Sequence, residues 1–181
     1  MASTATPAPT AGTAAMPTFK QYFLDAYEQE HARTMRVLNA YPADQAELRP
    51  HHRLKTAREL AWIFALERGL GTAVLNDAFA QKGPSGEPPK APDSWDAVLA
   101  AVEQTHKEFG EVVRAIPDEK LGETVKFFVA PKTLSDVRRI DFLWFLLHDE
   151  IHHRGQFSVY LRIANGKVPS IYGPSGDEPW F

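Results

Sequence analysis

The stretch from Asp136 to Ala164, capped by Ser135, restricts the fold more than any other part of this chain. Apolar residues recur at helical spacing through Val137, Ile140, Leu143, Trp144 and Leu147, and again through Phe157, Tyr160, Leu161 and Ile163. No proline falls between Ser135 and Val168, so the spacing predicts one long helix. Midway, the apolar face is broken by His148, Asp149, Glu150, His152, His153, Arg154, Gly155 and Gln156. Polar groups in that number on a buried stripe need partners, and a functional site is expected there.

The rest of the chain supplies helices for this one to pack against. Phe19, Phe23, Ala26, Tyr27, Met35 and Leu38 mark a first helix from Thr18 to about Tyr41, with Pro17 as its first helical residue and Pro42 ending it. His31 lies in its polar half and reads as solvated. A connector holding Pro50 and the surface pair His51–His52 leads to Thr56-Ala57-Arg58-Glu59, a capping box that opens a second helix running to about Gln81. Gly69 and Gly71 in that helix suit a close helix crossing. Residues 82–92 are a turn-rich linker within the domain. Ser94 or Asp93 caps a third helix to about Ala115, on which His106 reads as exposed. Residues 116–134 are irregular except for a short extended segment at Thr124–Val129, and form the crossover to the last helix. The economical arrangement is an all-α, four-helix bundle.

Composition narrows the function. The chain has 181 residues and a formal net charge of −3, with basic residues scattered along it. Nucleic acid is not an expected partner, because phosphate binding needs a concentrated positive face. Nor is a membrane, because no apolar run approaches the roughly 20 residues of a span. There is no cysteine, which excludes thiolate ligands and disulfides and suits a cytoplasmic location. Residues 1–16 are an Ala/Thr/Pro-rich leader expected to be disordered, and residues 17–181 form the domain. The Pro- and Gly-rich tail after the last helix is expected to be ordered against the bundle through Ile171, Tyr172 and Trp180.

Residues four apart share a helix face, so His148 pairs with His152 and Asp149 with His153, with Gln156 a turn beyond. Either pair can grip a divalent ion suited to Zn, Ni or Fe, but a third ligand must come from a neighbouring helix. Glu67, one turn after Ile63, is the candidate donor. The same residues can instead form a metal-free polar belt, with His153 bonded to Asp149, Arg154 paired with Glu150 and Gln156 closing a backbone gap. Mid-helix Gly155 needs a packing reason, and close approach of another backbone would supply it.

His152-His153-Arg154-Gly155-Gln156, then Ser158 to Arg162 and Val168 to Gly173, resemble the last helix and tail of the DinB-like proteins, and Glu59-Leu60-Ala61-Trp62 resembles their second helix. The resemblance implies an up-up-down-down bundle, commonly a homodimer, with a three-histidine metal site on helix 2 and the last helix. Relatives include thiol-dependent S-transferases and isomerases that use bacillithiol, mycothiol or glutathione. This chain departs from the pattern at two ligand positions: Ile63 stands at the helix-2 histidine, and Asp149 at the first histidine of the last helix. The leading reading is therefore a bundle of unknown substrate with a degenerate metal site, able to bind a small-molecule ligand in a pocket beside Ile63 and Gln156. The alternative is a divalent-metal-dependent enzyme of the S-transferase or hydrolase type using His153, Asp149 and Glu67, with His148 or His152 as substitute ligands. A third is acid-base work by a metal-free pair, Asp149 orienting His153.

Overall fold

Local signals start most of the helices where the sequence places them. A computed structural model describes residues 16–82 and 87–181; the expected leader lies almost wholly outside the described residues. Helix α1 (Phe19–Asn39) opens on Thr18, whose hydroxyl accepts from the Gln21 N–H, so Pro17 precedes the cap and is not the first helical residue. Helix α2 (Ala57–Leu75) has the full capping box, Glu59 N to Thr56 Oγ1 at 3.1 Å and Thr56 N to Glu59 Oε2 at 2.7 Å. It stops before Gln81, because Asp77 takes a left-handed conformation (φ 59°) and sets off a short α3 (Ala78–Lys82). Helix α4 (Trp95–Ala115) is capped by Ser94.

The long last helix is shorter than its pattern. Residues 133–138 form strand β2 (Thr133–Arg138), paired antiparallel with β1 (Thr124–Ala130), and α5 (Arg139–Ile163) begins only at the end of that strand. The expected cap Ser135 sits opposite Phe127 in the hairpin and caps nothing. Cross-strand pairing decides this segment: Asp136 faces Lys126 with a 2.9 Å ion pair, and Phe127 packs its ring 4.7 Å from that of Phe142.

Helices α1, α2, α4 and α5 form the expected four-helix bundle, yet their directions differ from up-up-down-down. The start of α1 meets the end of α4 (Lys20 Nζ to Ile116 O, 2.9 Å), and its end meets the start of α4 (Tyr41 and Trp95 rings, 5.0 Å), so the two are antiparallel. Tyr22 with Trp144 and Tyr41 with Phe157 make α1 parallel to α5. The Tyr160 hydroxyl donates to Lys55 O at the opposite end from the Gly71–Leu146 contact, so α2 is antiparallel to α5. The order is up-down-down-up. The crossover is therefore the α2–α4 connection, which returns along α2 held by Trp62 Nε1 to Pro89 O (2.7 Å) and Arg58 Nη1 to Pro92 O (2.8 Å). The connection from α4 to α5 carries the hairpin and stays at one end.

The core is in two apolar halves. One gathers Phe23, Tyr27, Phe109, Phe142 and Leu146; the other gathers Leu38, Tyr41, Phe64, Trp95 and Phe157. Between them lies a buried polar layer of Glu30, His31, Thr34, Arg68, His106, Glu150 and Arg154. Its pairing is not the one expected. Arg154 binds Glu30 (2.7 Å), not Glu150, while Glu150 takes Arg68 (3.0 Å) and the Thr34 hydroxyl (2.7 Å). Residues on one helix are aligned by spacing, but Arg154 reaches across to α1, where a carboxylate is equally buried.

His31 and His106 are also corrected: neither is solvated. They are 8% and 4% exposed and stack on each other between α1 and α4. Of the glycines, Gly71 is the close crossing, since a Cβ there would lie 2.6 Å from Phe109 and 2.7 Å from Leu146. A Cβ at Gly155 would meet nothing within 4 Å, so no backbone approaches it. The tail is ordered, as expected, but polar contacts hold it instead of apolar burial, since Tyr172 and Trp180 are 59% and 60% exposed: Tyr172 bridges Arg154 and Glu30 (2.5 Å each), Arg162 holds Asp177, and Trp180 bonds Ser170 within the tail. Among the described residues no helix is long and apolar enough to cross a membrane.

Candidate metal centre

Two contacts fix the height of α2 against α5. Gly71 admits Leu146, and one turn away Arg68 meets Glu150 in the core. On the outer side of the same seam, that registration sets Glu67 opposite Asp149 and His153. His153 Nε2 lies 3.2 Å from Glu67 Oε1 and 3.7 Å from Asp149 Oδ1. One donor atom from each of the three lies within 4.8 Å of the others, and among the described residues no other set of three His, Asp or Glu side chains does so. The side chains are 15%, 34% and 18% exposed for Glu67, Asp149 and His153, open enough for a small molecule to reach and closed enough to weaken hydration.

The electrostatics follow from crowding two carboxyls and an imidazole. Burial pushes the Glu67 carboxyl up to about 7, its hydrogen bond with His153 pulls against that, and the neighbouring Asp149 adds to the rise. The Glu67 hydrogen bond raises His153 above the ordinary imidazole value, with burial opposing. A burial-strained carboxyl beside a second carboxylate and an imidazole lone pair is short of positive charge, and the donor set fits a divalent cation of the borderline type. The core behind Glu67 holds a cavity of only about 10 Å³, lined by Phe23, Tyr27, Phe64, Arg68 and Glu150 among others, so approach is from outside the α2–α5 seam.

The other sequence candidates fall elsewhere. His148 is exposed and sits by Trp144, ring centroids 6.0 Å apart. His152 is exposed and meets the Gln156 amide nitrogen at 2.8 Å. Neither belongs to the three-residue set. Gln156 is brought to the site through its oxygen, 3.1 Å from His153 Nδ1. Ile63 is half-buried and lines a separate groove with Trp62, Leu66 and residues 88–91 of the crossover. Sequence reasoning missed the layer behind the site. Arg68 donates to Val102 O, His31 Nδ1 and Glu150. The available signal was position: His31 falls in register with Tyr27, Thr34 and Leu38, and His106 with Val102, Phe109 and Val113, on apolar stripes.

Comparison with known proteins agrees with this architecture. The chain is 26% identical over 158 residues to the uncharacterized protein YrdA of Bacillus subtilis (strain 168), spanning 87% of this chain and 90% of that protein. Its fold matches the crystal structure of a DinB-like protein from Bacillus cereus ATCC 10987 (TM-score 0.67, 20% identity, 83% of this chain and 95% of that one). It also matches a DinB-like protein, YjoA, from Bacillus subtilis (TM-score 0.62, 16% identity, 82% and 96%) and a conserved protein from Enterococcus faecalis (TM-score 0.62, 18% identity, 82% and 98%). The sequence profile of the DinB superfamily matches residues 26–157, from the middle of α1 into the last third of α5, and the chain belongs to that superfamily.

Proposed function

We propose that Glu67, Asp149 and His153 hold one divalent cation and that the protein is a metal-dependent enzyme of the S-transferase or hydrolase type. The observation that carries this reading is the convergence of the three donor atoms from two helices. A replacement of the histidine position by Ile63 removes a ligand, and Glu67, one turn further along the same helix, supplies another from the same wall. A cation there supplies Lewis acidity, which lowers the pKa of a bound water or low-molecular-weight thiol toward neutrality. The chain's own groups do the rest. Glu67, whose carboxyl is pushed up to about 7 in the metal-free site, gives up its proton on coordinating the cation. The half-buried position of the set leaves one side open for substrate.

A second reading, a degenerate metal site in a bundle that keeps the fold and a small-ligand pocket, is favoured by one observation: the Glu67–His153 pair at 3.2 Å satisfies both groups without a cation. Elemental analysis of tag-free protein, before and after exposure to zinc and nickel, separates the two. About one equivalent of metal, lost in Glu67→Gln and His153→Ala, is expected. No metal in the wild-type protein under either condition overturns the metal reading.

A further inference from the structure

Gln156 is an exposed glutamine, the kind of side chain that ordinarily points into water, yet both ends of its amide are engaged. Its carbonyl oxygen lies 3.1 Å from Nδ1 of His153 and its nitrogen 2.8 Å from Nε2 of His152. Helix geometry makes this possible, since Gln156 is three residues after one histidine and four after the other, the two spacings that share a face. In this orientation of the amide, the chemistry assigns the hydrogens. A carbonyl oxygen accepts and does not donate, so His153 Nδ1 carries a hydrogen. An amide nitrogen donates and does not accept, so His152 Nε2 offers its lone pair. In the neutral ring, the form that binds a cation, the nitrogen of His153 left over is Nε2, the atom that faces Glu67 and Asp149.

We propose that Gln156 is a positioning residue for the candidate metal centre: it holds the Nδ1 hydrogen of His153, so that Nε2 is presented to the cation, and His152 anchors the amide in that orientation. Without the acceptor, the ring is free to turn about its side-chain torsions and to place its single hydrogen on Nε2, between itself and Glu67, where it blocks coordination. An outer partner of this kind orients a ligating imidazole and raises its basicity, and its loss weakens metal binding about 10–100-fold. The inference rests on the metal reading for its consequence, but the Gln156–His153 bond can be tested without metal.

Two measurements on wild-type protein, Gln156→Met, Gln156→Glu and His152→Phe decide it. The first is the side-chain ¹H–¹⁵N spectrum of metal-free protein at neutral pH. A slowly exchanging Nδ1–H signal from His153 is expected in the wild type, lost in Gln156→Met and restored in Gln156→Glu, whose carboxylate also accepts. The second is zinc affinity by competition with a chromophoric chelator. Affinity is expected to fall about 10–100-fold in Gln156→Met, to recover in Gln156→Glu, and to fall to an intermediate value in His152→Phe. An Nδ1–H signal unchanged by Gln156→Met, or zinc affinity equal to wild type in that variant, overturns the proposal. If the wild type takes up no zinc, the metal reading fails by itself, and the metal-free spectra still decide whether Gln156 holds His153. Because Gln156 is exposed, Gln156→Met leaves the core packing intact, and an unchanged thermal transition verifies that.

Discussion

The imidazole of His31 lies flat on that of His106, ring centroids 3.6 Å apart and planes within 8°, in the seam between α1 and α4. Each ring reaches a carboxylate, His31 Nε2 to Glu103 and His106 Nε2 to Glu28, and His31 Nδ1 accepts from Arg68. His106 Nδ1 has no partner among the described residues. Burial pushes His106 down to about 4 despite the bond to Glu28, and burial together with the Arg68 charge lowers His31.

That stack predicts acid sensitivity. Between about pH 6.5 and 4 the unfolded chain takes a proton at His106 that the folded one refuses, so stability falls as the pH falls through this window and the loss is complete below about 4. The shift corresponds to about 3 kcal/mol. Urea midpoints measured from pH 7.5 to 4 should show this slope, and His106→Phe, which can keep the ring packing, should flatten it.

Metal uptake should carry its own pH signature. With Glu67 near 7 and His153 raised, a cation competes with protons at both, so zinc affinity should rise from pH 6 to 8 and binding should release protons at the lower pH. Calorimetry in buffers of different ionisation enthalpy measures the release. Glu67→Gln, which replaces an anionic donor with a neutral, weaker one, should cost about 100-fold, the upper end of what loss of an outer partner costs.

The buried Arg68–Glu150 pair gives a different prediction. Removing one partner leaves a charge stranded between the two halves of the core, so Arg68→Met or Glu150→Leu should each cost about 3–5 kcal/mol. The double variant should be markedly less unstable than the sum of the two, because no charge is left unpaired. Chemical denaturation of the four proteins completes the cycle.

Tyr172 ties the tail to the bundle by donating to Glu30 and accepting from Arg154. Tyr172→Phe leaves both charged groups short of one bond and should cost about 1–3 kcal/mol by denaturant titration. Hydrogen exchange in residues 168–178 should quicken with it.

Resemblance to its relatives also predicts a homodimer, and exposed Phe19 and Tyr22, the latter 5.6 Å from the Trp144 ring, offer apolar surface for one. Light scattering at micromolar concentration should give twice the mass of the 20.2 kDa chain; a monomer there removes the expectation.

How far the chain could be read without coordinates depended on whether a feature is local. The caps at Thr56 and Ser94 depend on neighbours three residues away, and both helices start there. The extended segment at Thr124 was visible in its alternation, while its partner Thr133–Arg138 was hidden, since Val137 and Ile140 continue the helical spacing of α5 and only a strand across the turn tells them apart. The meeting of Glu67 with Asp149 and His153 is half legible: the four-residue spacing puts Asp149 and His153 on one face of α5, while Glu67 joins them only through the packing of α2 on α5. The partners of Arg154 and Glu150, and the burial of His31 and His106, depend on contacts between helices far apart in sequence, and helix direction is set by where the crossover runs.

The route of the chain has a further consequence for synthesis. Arg68 and Glu150 are 82 residues apart, and every contact that gives α2 its inner partner on that side waits for the final helix. A nascent chain with α5 still in the exit tunnel therefore has Arg68 held by Val102 and His31 but lacking its carboxylate partner, and an unfilled slot where Phe142, Leu146 and Phe157 will dock. Closing so distant a contact is slow relative to forming a helix hairpin, and neither the Arg68–Glu150 pair nor the candidate ligand set can be complete until α5 has docked.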